Sequence, residues 1–181
     1  MNYYEFYDLA ISFHIDKKSL RRKYIQISKA CHPDYYVTDS SVNQEQALQK
    51  SSFNNEAYRI LNDDRERIKY LVSIVLKDSS KKQVPPDFLM EMMDVNEQVM
   101  MIAMEEDENA KTILKQKIIG INQGLLDQLS DLTHSYDDTL EIKLLVSIQE
   151  VLLKLQYMDR LMQNSQLFSW PNDINQLYLV S

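Results

Sequence analysis

The sequence predicts an all-α fold, a helical hairpin with short flanking helices followed by a three-helix bundle, and three observations carry that prediction. Apolar residues recur at steps of three and four through most of the 181 residues, which is the spacing of one helix face. Only 2 glycines and 4 prolines are present, little material for tight turns. Hydrophobic residues make up 44% of the chain, enough for a core in one large domain or two small ones.

The elements can be justified in order. Near the start, "YYEFYDLAI" reads as a short apolar-aromatic helix. Asp16 is placed to cap a helix running through "KKSLRRKYIQISKAC". Leu20, Tyr24, Ile27 and Cys31 form its inward stripe, while Lys18, Arg21, Arg22 and Lys29 fall away from that stripe and face water. Pro33 stops the helix, and the residue before a proline resists α geometry, so His32 sits at the break. After the loop-like "YYVTDSSVN", Ser41-x-x-Gln44 has the pattern of a capping box. The helix it opens reaches about Leu61 and buries Phe53, Ala57 and either Ile60 or Leu61. Asp63-x-x-Glu66 then caps a shorter helix with Ile68, Leu71, Val72 and Val75 inward.

Composition changes at "KDSSKKQVPPD", where Ser, Lys and two adjacent prolines make a semi-stiff connection. The expected organisation is therefore a first domain over 1–76, a linker over 77–86, a bundle over 87–167 and a tail over 168–181. Within the bundle, helices are expected at about 87–106, 109–133 and 139–165, with short connections that make neighbours antiparallel. Gly120 and Gly124 inside the second of these cost about 1 kcal/mol each relative to Ala, and close helix approach would be a reason to keep them.

Charge divides the chain in the same place. Residues 1–78 carry 12 Lys+Arg against 11 Asp+Glu, a net +1, whereas residues 79–181 carry 8 against 16, a net −8. Surfaces of opposite sign point to two different partners. A single cysteine excludes an intramolecular disulfide and fits a reducing compartment. Neither a signal peptide nor a membrane span is legible, so the expected location is cytoplasmic, with no membrane partner.

His32-Pro33-Asp34 beside Cys31 invites a catalytic reading, and the surroundings argue against it. Sequence neighbours at a helix end project in different directions, no glycine lies nearby to expose backbone N–H groups, and Cys31 belongs to the apolar stripe. No metal site is expected either: His14 and His134 are isolated and no C-x-x-C or H-x-x-x-H spacing occurs. Residues 1–119 contain no glycine, which excludes a phosphate-cradling loop. Nucleic acid would suit the cationic helix, but a molecule of pI near 5.0 argues against that partner.

Taken together, "YYEFYDL", the basic helix, His-Pro-Asp, a loop and "NNEAYRILNDDRERIKYL" resemble the J domain of DnaJ-type co-chaperones over about 75 residues. Tyr35 stands where that family usually places Lys or Arg, and Cys31 where Tyr is usual. The resemblance implies that His32, Pro33 and Asp34, with Lys18, Arg21, Arg22 and Lys29, dock on a DnaK-type chaperone and trigger ATP hydrolysis there. The motif would then be catalytic only in trans, and the chain itself would be no enzyme and need no cofactor. Typical J proteins continue into a Gly/Phe-rich linker and zinc modules, which are missing here. A J domain followed directly by an acidic bundle resembles the HscB family of iron–sulfur co-chaperones, as do "DFLMEMMDVNEQ" and "LQYMDRL". The alternative is a J protein serving a different client.

The helix from Asp87 supports a binding role on its own pattern. At about 100° per residue, Phe88, Met92, Val95, Val99 and Ile102 form one stripe. Leu89, Met90, Met93, Met100, Met101 and Met104 gather on the other side, with Asp94 and Glu97 beside them. Bundle packing uses one stripe; the second needs a cover, whether a partner, the tail or the mate in a homodimer. The HscB resemblance implies that the cover is an IscU-like scaffold protein held by Leu89, Met90, Met93, Asp94 and Glu97, with Tyr157 from the last helix.

Overall fold

The structure, a computed structural model, describes residues 1–32, 41–77, 83–102, 107–165 and 167–168. It is all-α, as the periodicity predicts, with no strand among the described residues. The chain divides into two compact units, Met1–Asp78 and Ser79–Ser181.

The first unit contains α1 (Tyr3–Phe6), α2 (Lys17–Ala30), α3 (Ser41–Asn62) and α4 (Asp64–Leu76). Asp16 does cap α2, its carboxylate accepting the Lys18 N–H at 2.9 Å. Asp63 caps α4 in the same way, accepting the Glu66 N–H at 2.9 Å. The side chain of Ser41, expected to cap α3, lies outside the described residues. Helices α2 and α3 pack as the hairpin, and α4 closes on α3. Tyr4, Tyr7, Phe13, Leu20, Ala57, Leu61 and Leu71 make the core. Of the alternatives Ile60 and Leu61, it is Leu61 that is buried.

Two polar side chains that no hydrophobic pattern marks are buried in this core. Asn54 donates to the Tyr24 carbonyl at 3.2 Å and the Ser28 hydroxyl at 2.9 Å, while its own amide oxygen accepts the Tyr7 hydroxyl at 2.7 Å. One residue of α3 thus ties α2 to the segment after α1. Burial pushes the Tyr7 phenol far above its ordinary pKa, with Tyr24 and Tyr58 adding to the shift, so it stays a donor. Arg67 donates to the Phe13 carbonyl at 2.8 Å and the Leu61 carbonyl at 2.5 Å, and pairs with Asp64. These bonds hold the irregular stretch before α2 in place.

The second unit contains α5 (Pro86–Ile102), α6 (Glu108–Thr139) and α7 (Ile142–Asn164). Pro86 opens α5, where its missing N–H costs nothing. Asp107 caps α6, accepting N–H groups of Asn109 at 2.9 Å and Ala110 at 3.1 Å. Only Leu140 and Glu141 separate α6 from α7, which fold back on each other along a long apolar seam. Ile118, Leu125, Leu129 and Tyr136 meet Leu145, Ile148, Val151, Leu155, Met158 and Met162 there.

Three expectations need correction. Helix α6 does not end near residue 133 but continues to Thr139, because Thr133 and Tyr136 extend the buried stripe of Leu125 and Leu129 through a polar-looking stretch. Helix α7 correspondingly starts at Ile142 rather than 139. Gly120 and Gly124 mark no close helix approach: a Cβ at either would meet nothing within 4 Å.

Candidate functional site

The basic face is built by α2. On a helical wheel Lys18, Arg21, Arg22 and Lys29 fall within about 100° of arc, opposite Leu20 and Cys31. All four are exposed, and Leu20 and Cys31 are buried. Ile25, also exposed, lies within the arc. Not every cation of this helix is available, however. Lys17 pairs with Asp64 at 2.7 Å, and the ammonium of Lys23 donates to the Tyr7 and Asp8 carbonyls at 2.5 and 2.8 Å. Arg22 reaches Asp16 at 3.8 Å, an exposed pair of little strength. Lys18, Arg21 and Lys29 make no ion pair among the described residues.

Burial works against ionisation of Asp64, but its bonds to Lys17 and Arg67 outweigh that, and its pKa lies below the ordinary carboxylate value. It therefore remains an anion at neutral pH and keeps Lys17 turned to the fold. The helix ends where the sequence places the break. The Cys31 N–H still reaches the Ile27 carbonyl at 3.0 Å, and the His32 N–H only the Lys29 carbonyl at 3.4 Å. His32 is exposed at that end. Pro33 and Asp34 lie outside the described residues.

The apolar face is built by α5. Phe88, Met92 and Val95 are buried in the bundle, and Val99 and Ile102 half-buried. On the other side Leu89 is 41% exposed, Met90 68% and Met93 59%, and the patch continues with Met100 at 69% and Met101 at 67%. Asp94 and Glu97 are exposed within it. Met104 lies outside the described residues.

Tyr157 of α7 is brought beside α5, but it is not simply presented to solvent. Its ring stands edge-on to Phe88 at 5.7 Å, and its hydroxyl accepts the Asn96 amide at 2.6 Å. Asn96 also donates to the Met92 carbonyl at 2.7 Å, so it locks the tyrosine against the helix that carries the methionines. Sequence reasoning missed Asn96: its partner is 61 positions away, and no local pattern signals the pair. Lys154, 5.4 Å from the Phe88 ring centroid, is a second unpredicted neighbour.

Among the described residues no three His, Cys, Asp or Glu side chains cluster to hold a metal, and no helix is long and apolar enough to cross a membrane. The faces are suited to macromolecular docking, one by charge and one by apolar contact.

Comparison with known proteins bears on both units. The family model for the HSCB C-terminal oligomerisation domain matches residues 84–165. A co-chaperone protein HscB homolog from Vibrio cholerae serotype O1 (strain M66-2) is 32% identical over 133 residues, 71% of this chain and 78% of that protein. One from Pasteurella multocida (strain Pm70) is 30% identical over 137 residues, 72% of this chain and 78% of that protein. Among solved structures, human co-chaperone protein HscB aligns over 90% of this chain and 79% of its own, with TM-score 0.63 and 23% identity. Chaperone HscB from Vibrio cholerae aligns over 90% of this chain and 98% of its own, with TM-score 0.57 and 25% identity.

Proposed function

The chain belongs to the HscB co-chaperone family, and from that premise we propose that it is an adaptor between an IscU-like iron–sulfur scaffold protein and a DnaK/HscA-type chaperone. Residues 1–76 act as the J domain. Lys18, Arg21, Arg22 and Lys29 steer it onto an acidic surface of the chaperone, and His32-Pro33-Asp34 stimulates ATP hydrolysis there. Proline restricts the backbone at the helix break, so little conformational entropy is lost on docking. Residues 87–167 capture the scaffold on the α5 face, through Leu89, Met90, Met93, Asp94 and Glu97, with Tyr157 at its edge. Linking two weak sites in one chain raises the concentration of scaffold at the chaperone, which supports cluster assembly or transfer.

The observation that carries this reading is the pair of exposed faces of opposite character. Three cations of α2 have no carboxylate partner, and four methionines of α5 have no cover, among the described residues. Charge should make the first contact sensitive to salt, and apolar burial should make the second largely insensitive.

Single-turnover ATP hydrolysis by candidate DnaK-type chaperones, with and without this protein and the scaffold, tests the reading. His32→Gln should abolish stimulation and leave scaffold binding intact. Leu89→Ala with Met93→Ala should weaken scaffold binding and spare stimulation. Unchanged scaffold affinity in the double variant removes the bundle half of the proposal, and full stimulation by His32→Gln removes the other half.

A further inference from the structure

The hydrogen bonds of Asn96 fix the polarity of Tyr157. A main-chain carbonyl can only accept, so the end of the Asn96 side chain that faces the Met92 carbonyl at 2.7 Å is its amide nitrogen. The same nitrogen donates to the Tyr157 hydroxyl at 2.6 Å, and an amide nitrogen accepts nothing in return. The phenol therefore receives a bond from Asn96 and keeps its own proton to give. Among the described residues that proton has no acceptor, and the side-chain oxygen of Asn96 has no donor. Both residues are half-buried, where leaving such groups unpaired costs more than at the open surface.

Their place on the helix decides what could pair with them. At about 100° per residue, Asn96 falls within about 40° of Leu89 and Met100, so it borders the exposed apolar row of α5 on the side where Tyr157 stands. Asp94 and Glu97 lie about 100° or more away around the helix. That margin thus offers one donor, the phenol O–H, and one acceptor, the Asn96 oxygen. An amide group supplies both complements, a carbonyl and an N–H. A carboxylate supplies only acceptors and would set its charge against the Asn96 oxygen.

We propose that Asn96 and Tyr157 form a reader for an amide group of the client, with the Tyr157 hydroxyl donating to its carbonyl oxygen. Asn96 is the positioning residue: by occupying one side of the hydroxyl it turns the phenol proton toward the client. This reader depends on α5 being the scaffold-binding face, as proposed above.

Titration calorimetry of the full chain with the IscU-like scaffold protein tests it. Tyr157→Phe should weaken binding about tenfold by removing the donor. Asn96→Asp should weaken it as much, because the carboxylate takes the phenol proton for itself while still holding the ring. The two changes together should be no worse than Asn96→Asp alone. Circular dichroism should show every variant as helical as the unaltered chain. Lys154→Met removes the ammonium beside the Phe88 ring and should leave affinity unchanged. In amide spectra of the isotope-labelled scaffold, Tyr157→Phe should move a side-chain NH2 pair if the amide belongs to Asn or Gln, and a main-chain N–H otherwise. Unaltered affinity in Asn96→Asp, or additive losses in the double variant, would overturn the reader and leave α5 as the binding face. A loss in Lys154→Met as large as in Tyr157→Phe would assign the acceptor to a carboxylate and overturn it too. A scaffold that fails to bind, or that ignores Leu89→Ala with Met93→Ala, overturns the α5 reading itself and the reader with it.

Discussion

In the first unit the buried polar side chains are engaged, whereas the bundle leaves polar atoms of two side chains, Asn122 and Gln149, buried without a partner among the described residues. Arg67 and Asn54 are 4% and 1% exposed and together bond to α2, to α3 and to the segment between α1 and α2. Asn122 of α6 is 0% exposed, and neither its amide nitrogen nor its oxygen has a hydrogen-bond partner among the described residues. The contrast follows from length. A four-residue α1 and the irregular chain after it cannot offer a continuous apolar stripe, so side-chain bonds to backbone carbonyls must hold them. Helices of 32 and 23 residues bury a seam long enough to tolerate the unpartnered amide of Asn122 and the unpartnered amide oxygen of Gln149. The outward faces follow the same division: charge on the unit held by polar anchors, and methionine on the unit held by apolar packing.

The largest test of this contrast is Arg67→Met. It leaves the Phe13 and Leu61 carbonyls without their donors and should cost the first unit about 3 kcal/mol. Chemical denaturation should show that unit melting earlier while the bundle's transition stays in place. A loss shared equally by both units would erase the distinction.

Asn122→Leu should do the reverse in the bundle. Leucine is close to asparagine in volume and removes an unsatisfied amide, so the bundle should gain about 1.5 kcal/mol, read as a higher midpoint in urea. No gain would show that the amide is satisfied in solution and that the two units are alike in this respect.

The smallest effects concern backbone. Gly124→Ala, in an exposed helix interior with open space at the Cβ, should stabilise the bundle by about 1 kcal/mol. Leu140, at φ 56° between α6 and α7, is the opposite case, and Leu140→Gly should gain about 1 kcal/mol by relieving a left-handed residue. Thermal unfolding of the two variants and their double should show additive shifts, since the sites are far apart.

Much of this was legible beforehand, for identifiable reasons. Asp16 and Asp63 announce helix starts through local chemistry, and the structure confirms both caps. The two stripes of α5 are a matter of 3.6-residue geometry, which sends Met92 and Met93 to opposite environments, 0% and 59% exposed. The end of α6 is not legible in the sequence, because Thr133 and Tyr136 read as polar in isolation and are buried only because α7 returns against them.

By itself, then, the order of residues determined the helices, their caps, the separation of cationic from acidic halves and the apolar side of each helix, since all of these depend on neighbours within a turn or two. Tertiary structure alone decided which cations remain free, taking Lys17 for Asp64 and Lys23 for the carbonyls of Tyr7 and Asp8. It also decided that Tyr157 is held by Asn96 and that Arg67 lies inside. Each of these is a contact between groups far apart in the chain, set by distance in space rather than by any period along the sequence.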